Sequence, residues 1–527
     1  MMSEDLKRVE MMSKELNRRR FIRNSLVTAA AIGVADARAN SSSGSESDVE
    51  AICIGSGFGG AVASLRLAEA GIETLVLERG MRWPISAAGN TFCTIQNPDG
   101  RAAWLSNTTI LPAPLPNSPI NVFAGILDRK IGNGIIAYRG AAYGGGSLMY
   151  GGITYQPTRR LFEQVFPPTV DYDVLDRIYF PRVRQMLQAT PVPDDIFQAD
   201  AYLASRVLLN QATNAGFTTI KPPIALNWDV VRAELAGTVV PSVIAGEVYY
   251  GTNSGAKNSL DRNYLKLAEA TGHVEVLTLH VVTAIEAAAS GGYRVLANRI
   301  DAQGNVIAQK SFTCRYLFLA AGSLGTTELL VRAQARGTLR GLSSAVGQFW
   351  GTNSDSITIM VDATATNISL GSPGVIAVQD LDNPIAPQIL ETFQALPLPN
   401  GTIGVLGQGI ARPDGYFTYN PTTDSADLTW PASSANSQAN LQALQQTYAL
   451  LNEVNGTALA APISQLYTGH PVGGAVIGAV CDPFGQVLGC PNLFVVDGAL
   501  IPGSAACANP SLTIAALAEQ AMDHFLN

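Results

Sequence analysis

The clearest hydrophobic pattern in the chain lies between residues 49 and 78. Val49 to Ile54 (Val-Glu-Ala-Ile-Cys-Ile) is a short run rich in β-formers and bounded by glycine, which predicts a buried strand. Gly55-Ser56-Gly57-Phe58-Gly59-Gly60 follows at once. A helical stretch from Ala61 to Ala70 ends at Gly71, a residue suited to a left-handed cap. Thr74 to Leu77 forms a second strand, and it ends in Glu78. Further along, His280 lies in an alternating apolar strand, and Glu391 is flanked by Ile389-Leu390 and Phe393. Asn509-Pro510 opens a last helix, because the residue before proline is driven to extended backbone.

Strand, glycines, helix, strand and acid in this register predict a dinucleotide-binding unit. Gly55 permits the tight turn, and Gly57 lets the backbone approach a pyrophosphate. Gly60 lets the helix pack against the strand. The helix N-terminus offers free N–H groups to the phosphates. Glu78, placed to accept from both ribose hydroxyls, disfavours a 2′-phosphorylated cofactor. The unit by itself leaves the choice of dinucleotide open.

Composition narrows the class. With 527 residues, 47% apolar and only 14% charged, the chain can bury a large core, and global disorder is excluded. A net charge of -8 argues against nucleic acid or an anionic membrane surface as the main partner. The six cysteines (53, 93, 314, 481, 490 and 507) have no metal-ligand spacing, and Cys481 and Cys490 read as two buried thiols rather than a pair.

Residues 1–39 read as a targeting segment. Arg18-Arg19-Arg20-Phe21-Ile22-Arg23 resembles the twin-arginine export pattern. The apolar run Leu26 to Val34 is too short to span a bilayer, and Ala37-Arg38-Ala39 fits a small-x-small cleavage site. Export of the folded protein by the twin-arginine machinery, to the periplasm or the medium, is the expectation. Asn40 to Ser47 reads as a flexible lead-in.

Several distant segments add to the nucleotide unit. Arg139-Gly140, Gly144-Gly145-Gly146-Ser147-Leu148 and Gly151-Gly152 form a dense glycine loop, where side chains would collide with a flat ligand. Near the C-terminus, His470-Pro471-x-Gly473-Gly474 precedes Leu493-Phe494-Val495-Val496-Asp497-Gly498, and Asn509-Pro510-Ser511-Leu512-Thr513 follows. Together these resemble the glucose-methanol-choline (GMC) family of flavoprotein oxidoreductases. More narrowly, the runs 139–157, 258–284 and 315–332, with Leu390-Glu391-Thr392-Phe393, resemble the branch that oxidises 3β-hydroxysteroids on non-covalently held FAD. The resemblance spans about residues 48–527 and is poorest around 85–130 and 345–385.

The resemblance implies an α/β fold: a Rossmann-type FAD-binding domain with an inserted α+β substrate domain on a mixed β-sheet. Residues 45–155, 250–345 and 463–527 would bind FAD, and 156–249 and 346–462 would bind the steroid. It implies that Gly59 and Glu78 serve the phosphate and ribose, beside Gly55, Gly57 and Gly60 in the same cofactor unit, and that Val282 supplies backbone to adenine. Gly146, Tyr150, Gly151 and Ile153 would line the flavin, and Gly498 and Ser511 would approach its far end. Tyr150 stands where the family usually has Asn, which puts reaction with oxygen in question.

Of four histidines, only His470 is embedded in a Pro/Gly turn facing a cofactor motif. Its implied role is to bond the substrate hydroxyl and help deprotonate it, while the Asn509 amide positions the reacting oxygen. Glu391 would be a base in a greasy cavity, moving a proton from C4 to C6 of a 5-en-3-one. The implied partners are a cholesterol-like sterol and O2, with H2O2 as a product, transient contact with a membrane surface, no nucleic acid and no metal. Two rival readings are a dehydrogenase using another electron acceptor and a sterol-binding protein with a vestigial flavin.

Overall fold

The computed structural model describes residues 47–112, 117–362, 364–393, 398–410 and 412–527. The twin-arginine pattern and the cleavage site lie outside the described residues.

The first strand, Ser47–Ile54, is sandwiched between Thr74–Leu77 and the long strand Val306–Leu319, parallel to both. Val274–Leu277 extends the sheet on one side, and Leu493–Val495 pairs in parallel with the end of Val306–Leu319. Parallel strands packed on both faces require near-continuous apolar runs, and Ile52, Cys53, Val76, Leu317 and Phe318 are fully or almost fully buried. The helices Phe58–Glu69 and Pro510–Leu526 pack on one another, and their buried faces join this core. The long strand then turns a second use from its first half, which pairs antiparallel with Tyr293–Ile300, and that strand with His280–Ala287. The sheet is therefore mixed.

A second sheet has the order 458–459, 356–361, 402–409, 388–392, 377–380, 218–220. All five of its pairings are antiparallel. The α/β class is as expected, but the mixed pairing expected of the substrate sheet belongs to the nucleotide sheet. Hairpin returns such as that between Gln388–Thr392 and Thr402–Gly409 give antiparallel neighbours, whereas parallel ones need long crossovers. Gln388–Thr392 is interior to this sheet and buried along its whole length. Glu391, which alternation puts on the same face as Ile389, is therefore denied solvent.

The six cysteines are free and buried. No helix among the described residues is long and apolar enough to cross a membrane.

Candidate active site

One cavity of about 510 Å³ runs between the two sheets. It is lined by Gly55, Gly57, Gly59, Glu78, Gly146, Tyr150, Gly151, Ile153, Val282, Gly498 and Ser511, and by Glu391, His470 and Asn509. Residues more than 450 positions apart thus share one lining, as the motifs required. Gly60 is not in the lining, in keeping with the packing task expected of it. A Cβ there would lie 2.1 Å from the Gly55 carbonyl oxygen and 3.0 Å from Ala320 Cβ, so its task is close packing of the helix on the sheet.

The glycines divide by what surrounds them. At Gly57, Gly146 and Gly322 an added Cβ would meet nothing within 4 Å. At Gly59 it would lie 1.7 Å from the Val496 carbonyl oxygen, so this glycine both lines the cavity and seats the helix on the strand beside it. The helix Phe58–Glu69 has no side-chain cap, which leaves its first N–H groups free. Glu78 is held at the edge of the cavity: its Oε2 accepts from the Ser56 N–H (3.0 Å) and Oγ (2.6 Å), and its Oε1 from the Gly80 N–H (2.8 Å). In the strand His280–Ala287 the register slips between Val282 and Ala284, where Val282 reaches the lining. A bare helix end, glycines open to the cavity and a tethered carboxylate fit a dinucleotide with two ribose hydroxyls, and FAD in particular given the glycine loop at the other end.

The reactive cluster lies around Glu391. Its carboxylate is fully buried, and Oε2 accepts from the Asn509 amide (3.1 Å) and from Gln408 Nε2 (3.2 Å). Its Oε1 has no partner, and neither has Asn509 Oδ1. Burial pushes the Glu391 carboxyl up to about 7, against the pull of the Asn509 hydrogen bond and of His470. It is thus poised to gain and lose a proton near neutrality. Asn509 is the residue before the helix Pro510–Leu526, but its side chain makes no cap bond and turns to Glu391 instead.

His470 Nδ1 lies 2.9 Å from Asp355 Oδ1. Burial pulls the imidazole pKa down, but the charge and hydrogen bond of Asp355 more than offset it, so the net direction is up. Of the remaining histidines only His280 also lines the cavity, and each has a partner of its own. His273 pairs with Glu73 at the surface, His280 Nδ1 bonds the Thr278 carbonyl, and His524 stacks on Phe484. Tyr150, in the glycine loop, packs edge-on against Phe58 and leaves its buried hydroxyl without a partner.

Asp355, Gln408 and Lys257 sit in no recognisable motif, so the sequence alone does not single them out. Lys257 is buried behind the glycine loop, where its Nζ donates to the carbonyls of Leu148 (2.8 Å) and Val248 (2.6 Å). Desolvation pulls its pKa down to about 7. Asp497 lies in the run Leu493 to Gly498. It accepts from the Gly322 N–H (2.8 Å), Thr326 Oγ1 (2.5 Å) and the Ala499 N–H (2.8 Å), and burial raises it to about 6.

A nucleotide sheet, a glycine cradle and a His–Asn–Glu cluster on one cavity define a flavin-dependent oxidoreductase. The chain takes FAD as its cofactor and matches, over residues 413–518, the family model described as GMC oxidoreductase. It is 28% identical over 552 residues to a protein of Mycobacterium tuberculosis (strain ATCC 25618 / H37Rv) named cholesterol oxidase, with 90% of each chain covered. To a cholesterol oxidase of Acinetobacter baumannii it is 24% identical over 550 residues, covering 90% of this chain and 94% of that one. A solved fungal aryl-alcohol oxidase superposes with a TM-score of 0.60 at 14% identity, covering 91% of this chain and 99% of that one.

Proposed function

We propose that this enzyme oxidises the 3β-hydroxyl of a cholesterol-like steroid to the ketone, passes the electrons to O2 as H2O2, and then moves the Δ5 double bond into conjugation. The observation that carries this is Glu391: a wholly buried carboxyl, one oxygen bonded twice and the other free, in the same lining as His470 and Asn509. Alcohol oxidation alone calls for one proton acceptor, which His470 supplies. A second, independently titrating group suits a second proton transfer.

FAD, when bound, supplies the two-electron acceptor for the carbinol carbon. His470 holds the substrate hydroxyl and takes its proton, and the Asn509 amide orients the oxygen. Glu391 then removes a proton from C4 of the 5-en-3-one and returns it at C6. Tyr249, Ile357, Pro373, Phe393 and Leu406 contribute to the walls of the same cavity, which suits a rigid apolar skeleton carrying one hydroxyl. In the same reading, residues 45–155, 250–345 and 463–527 bind FAD and 156–249 and 346–462 hold the steroid. The chain leaves the cytoplasm folded through the twin-arginine route and extracts sterol at a membrane surface.

A second reading rests on Tyr150, whose buried, partnerless hydroxyl replaces the family's amide beside the flavin site: the electrons go to a quinone-like acceptor instead of O2. Adding cholesterol to the purified protein in air, with enone absorbance and peroxide followed together, tests both. Enone with stoichiometric peroxide supports the oxidase, and enone without peroxide favours the second reading. Flavin that stays oxidised with cholesterol under anaerobic conditions sinks the steroid assignment.

A further inference from the structure

The segment entering the strand Ser356–Val361 is Thr352-Asn353-Ser354-Asp355, and all four residues are buried. Asn353 and Ser354 hold left-handed backbone, with φ of 56° and 55°. Across from them Ala506 and Cys507, just ahead of Asn509, do the same, with φ of 61° and 57°. Residues with a Cβ keep such backbone only where their surroundings over-determine it.

The surroundings here are hydrogen bonds to the reactive cluster. Asn353 Oδ1 accepts from the Ala505 N–H (2.8 Å) and Ser504 Oγ (3.3 Å), and Nδ2 donates to the Ala508 carbonyl (3.0 Å) and Gln408 Oε1 (3.3 Å). With four bonds the amide is satisfied and its orientation set. Because Gln408 gives its oxygen to Asn353, it presents its N–H group to Glu391 Oε2. Oε2 thereby accepts two N–H bonds, and the proton is left to Oε1. Two residues on, Asp355 Oδ2 accepts from Thr468 Oγ1 (2.9 Å) and the Gly469 N–H (3.0 Å), which leaves Oδ1 for His470 Nδ1.

We propose that the turn Thr352–Asp355 is the positioning element of the site: Asp355 holds His470 as the Nδ1-protonated tautomer, so that Nε2 takes the hydroxyl proton, and Asn353, through Gln408, makes Oε1 the proton-carrying oxygen of Glu391. This rests on the roles given above to His470 and Glu391. Besides one another and Asp355, the titratable groups that act on this cluster are Tyr155 and Tyr249.

Two holoenzyme variants test it. In Asp355→Asn, Thr468 and Gly469 still demand an oxygen, so the new amide N–H group faces Nδ1 and imposes the other tautomer. The kcat for oxidation should fall about 10²-fold or more with KM little changed, as expected when a catalytic imidazole is held in the wrong tautomer. Its acidic limb should move to lower pH, because the charge that raised the imidazole is gone, and the Nδ1–H signal of His470 should vanish from 15N-histidine spectra. Isomerisation of supplied 5-en-3-one should persist. In Gln408→Met, Glu391 loses a donor to its charged form, so the isomerisation limb should move to higher pH and its rate should fall several-fold, with oxidation retained.

A residue that only holds up the fold would shift neither limb. If both variants keep the parent's limbs and the Nδ1–H signal survives, the proposal is overturned. If Asp355→Asn does not accumulate with FAD, an unmoved isomerisation limb in Gln408→Met overturns it alone. His470→Ala separates the two levels: parent-rate oxidation by that variant refutes the role of His470 rather than that of the turn.

Discussion

Glu391→Gln isolates one proton from everything else in the site. The side chain keeps its length, and its amide oxygen can still accept from Asn509 and Gln408 where Oε2 did, at 3.1 and 3.2 Å. The amide cannot carry a proton between carbon atoms, so isomerisation should fall by about 10²–10⁴-fold, the usual worth of general acid–base help. Under the proposed mechanism oxidation rests on His470 and Asn509 and should continue at a measurable rate, so the unconjugated 5-en-3-one should accumulate. The same substitution has a stability signature. Burial raises the Glu391 carboxyl from the usual 4.5 to about 7. Between those pH values the folded chain holds a proton that the unfolded chain has released, so stability falls as pH rises through that window and the loss is complete above it. At about 1.4 kcal/mol per pH unit this comes to about 3 kcal/mol. The Gln variant should therefore melt higher than the parent at pH 8 and match it near pH 4. The assay pairs enone absorbance on supplied 5-en-3-one with melting curves at the two pH values. Conjugated enone at the parent rate would refute the proton-carrier role, and identical pH dependence of melting would refute the buried, titrating carboxyl.

Four further outcomes are expected. Gly59→Ala places a Cβ 1.7 Å from the Val496 carbonyl oxygen, an overpacking that typically costs about 1–3 kcal/mol. Gly57→Ala, whose Cβ meets nothing within 4 Å, should keep the parent's melting temperature and lose FAD affinity in fluorescence titration; equal FAD affinity would remove Gly57 from the phosphate site. Tyr150→Phe deletes a buried hydroxyl without a partner, so melting should be unchanged or raised, by up to about 1–3 kcal/mol, and a clear drop would reveal a partner. Arg18→Lys with Arg19→Lys should retain active precursor inside the cell, since an ammonium group does not imitate the planar guanidinium; normal export in cell fractionation would mean a signal of another type.

The nucleotide half of the protein was legible because its constraints are local. A glycine that must be bare, a helix that must begin beside it and an acid at the end of the next strand are fixed by spacing along one short stretch, Gly55 to Glu78. His470 and Asn509 were legible for a related reason, since each sits in a proline turn whose backbone is restricted by its own neighbours. Glu391 could be suspected from its apolar neighbours, but only the fold shows that both edges of its strand are paired and both faces buried. Asn353, Asp355 and Gln408 left no trace in the sequence. They lie in runs without periodicity or motif, and their partners are 17 to 155 positions away. Hydrogen bonds between side chains so far apart depend on how the loops close over one another, and that closure exists only once the two sheets have packed.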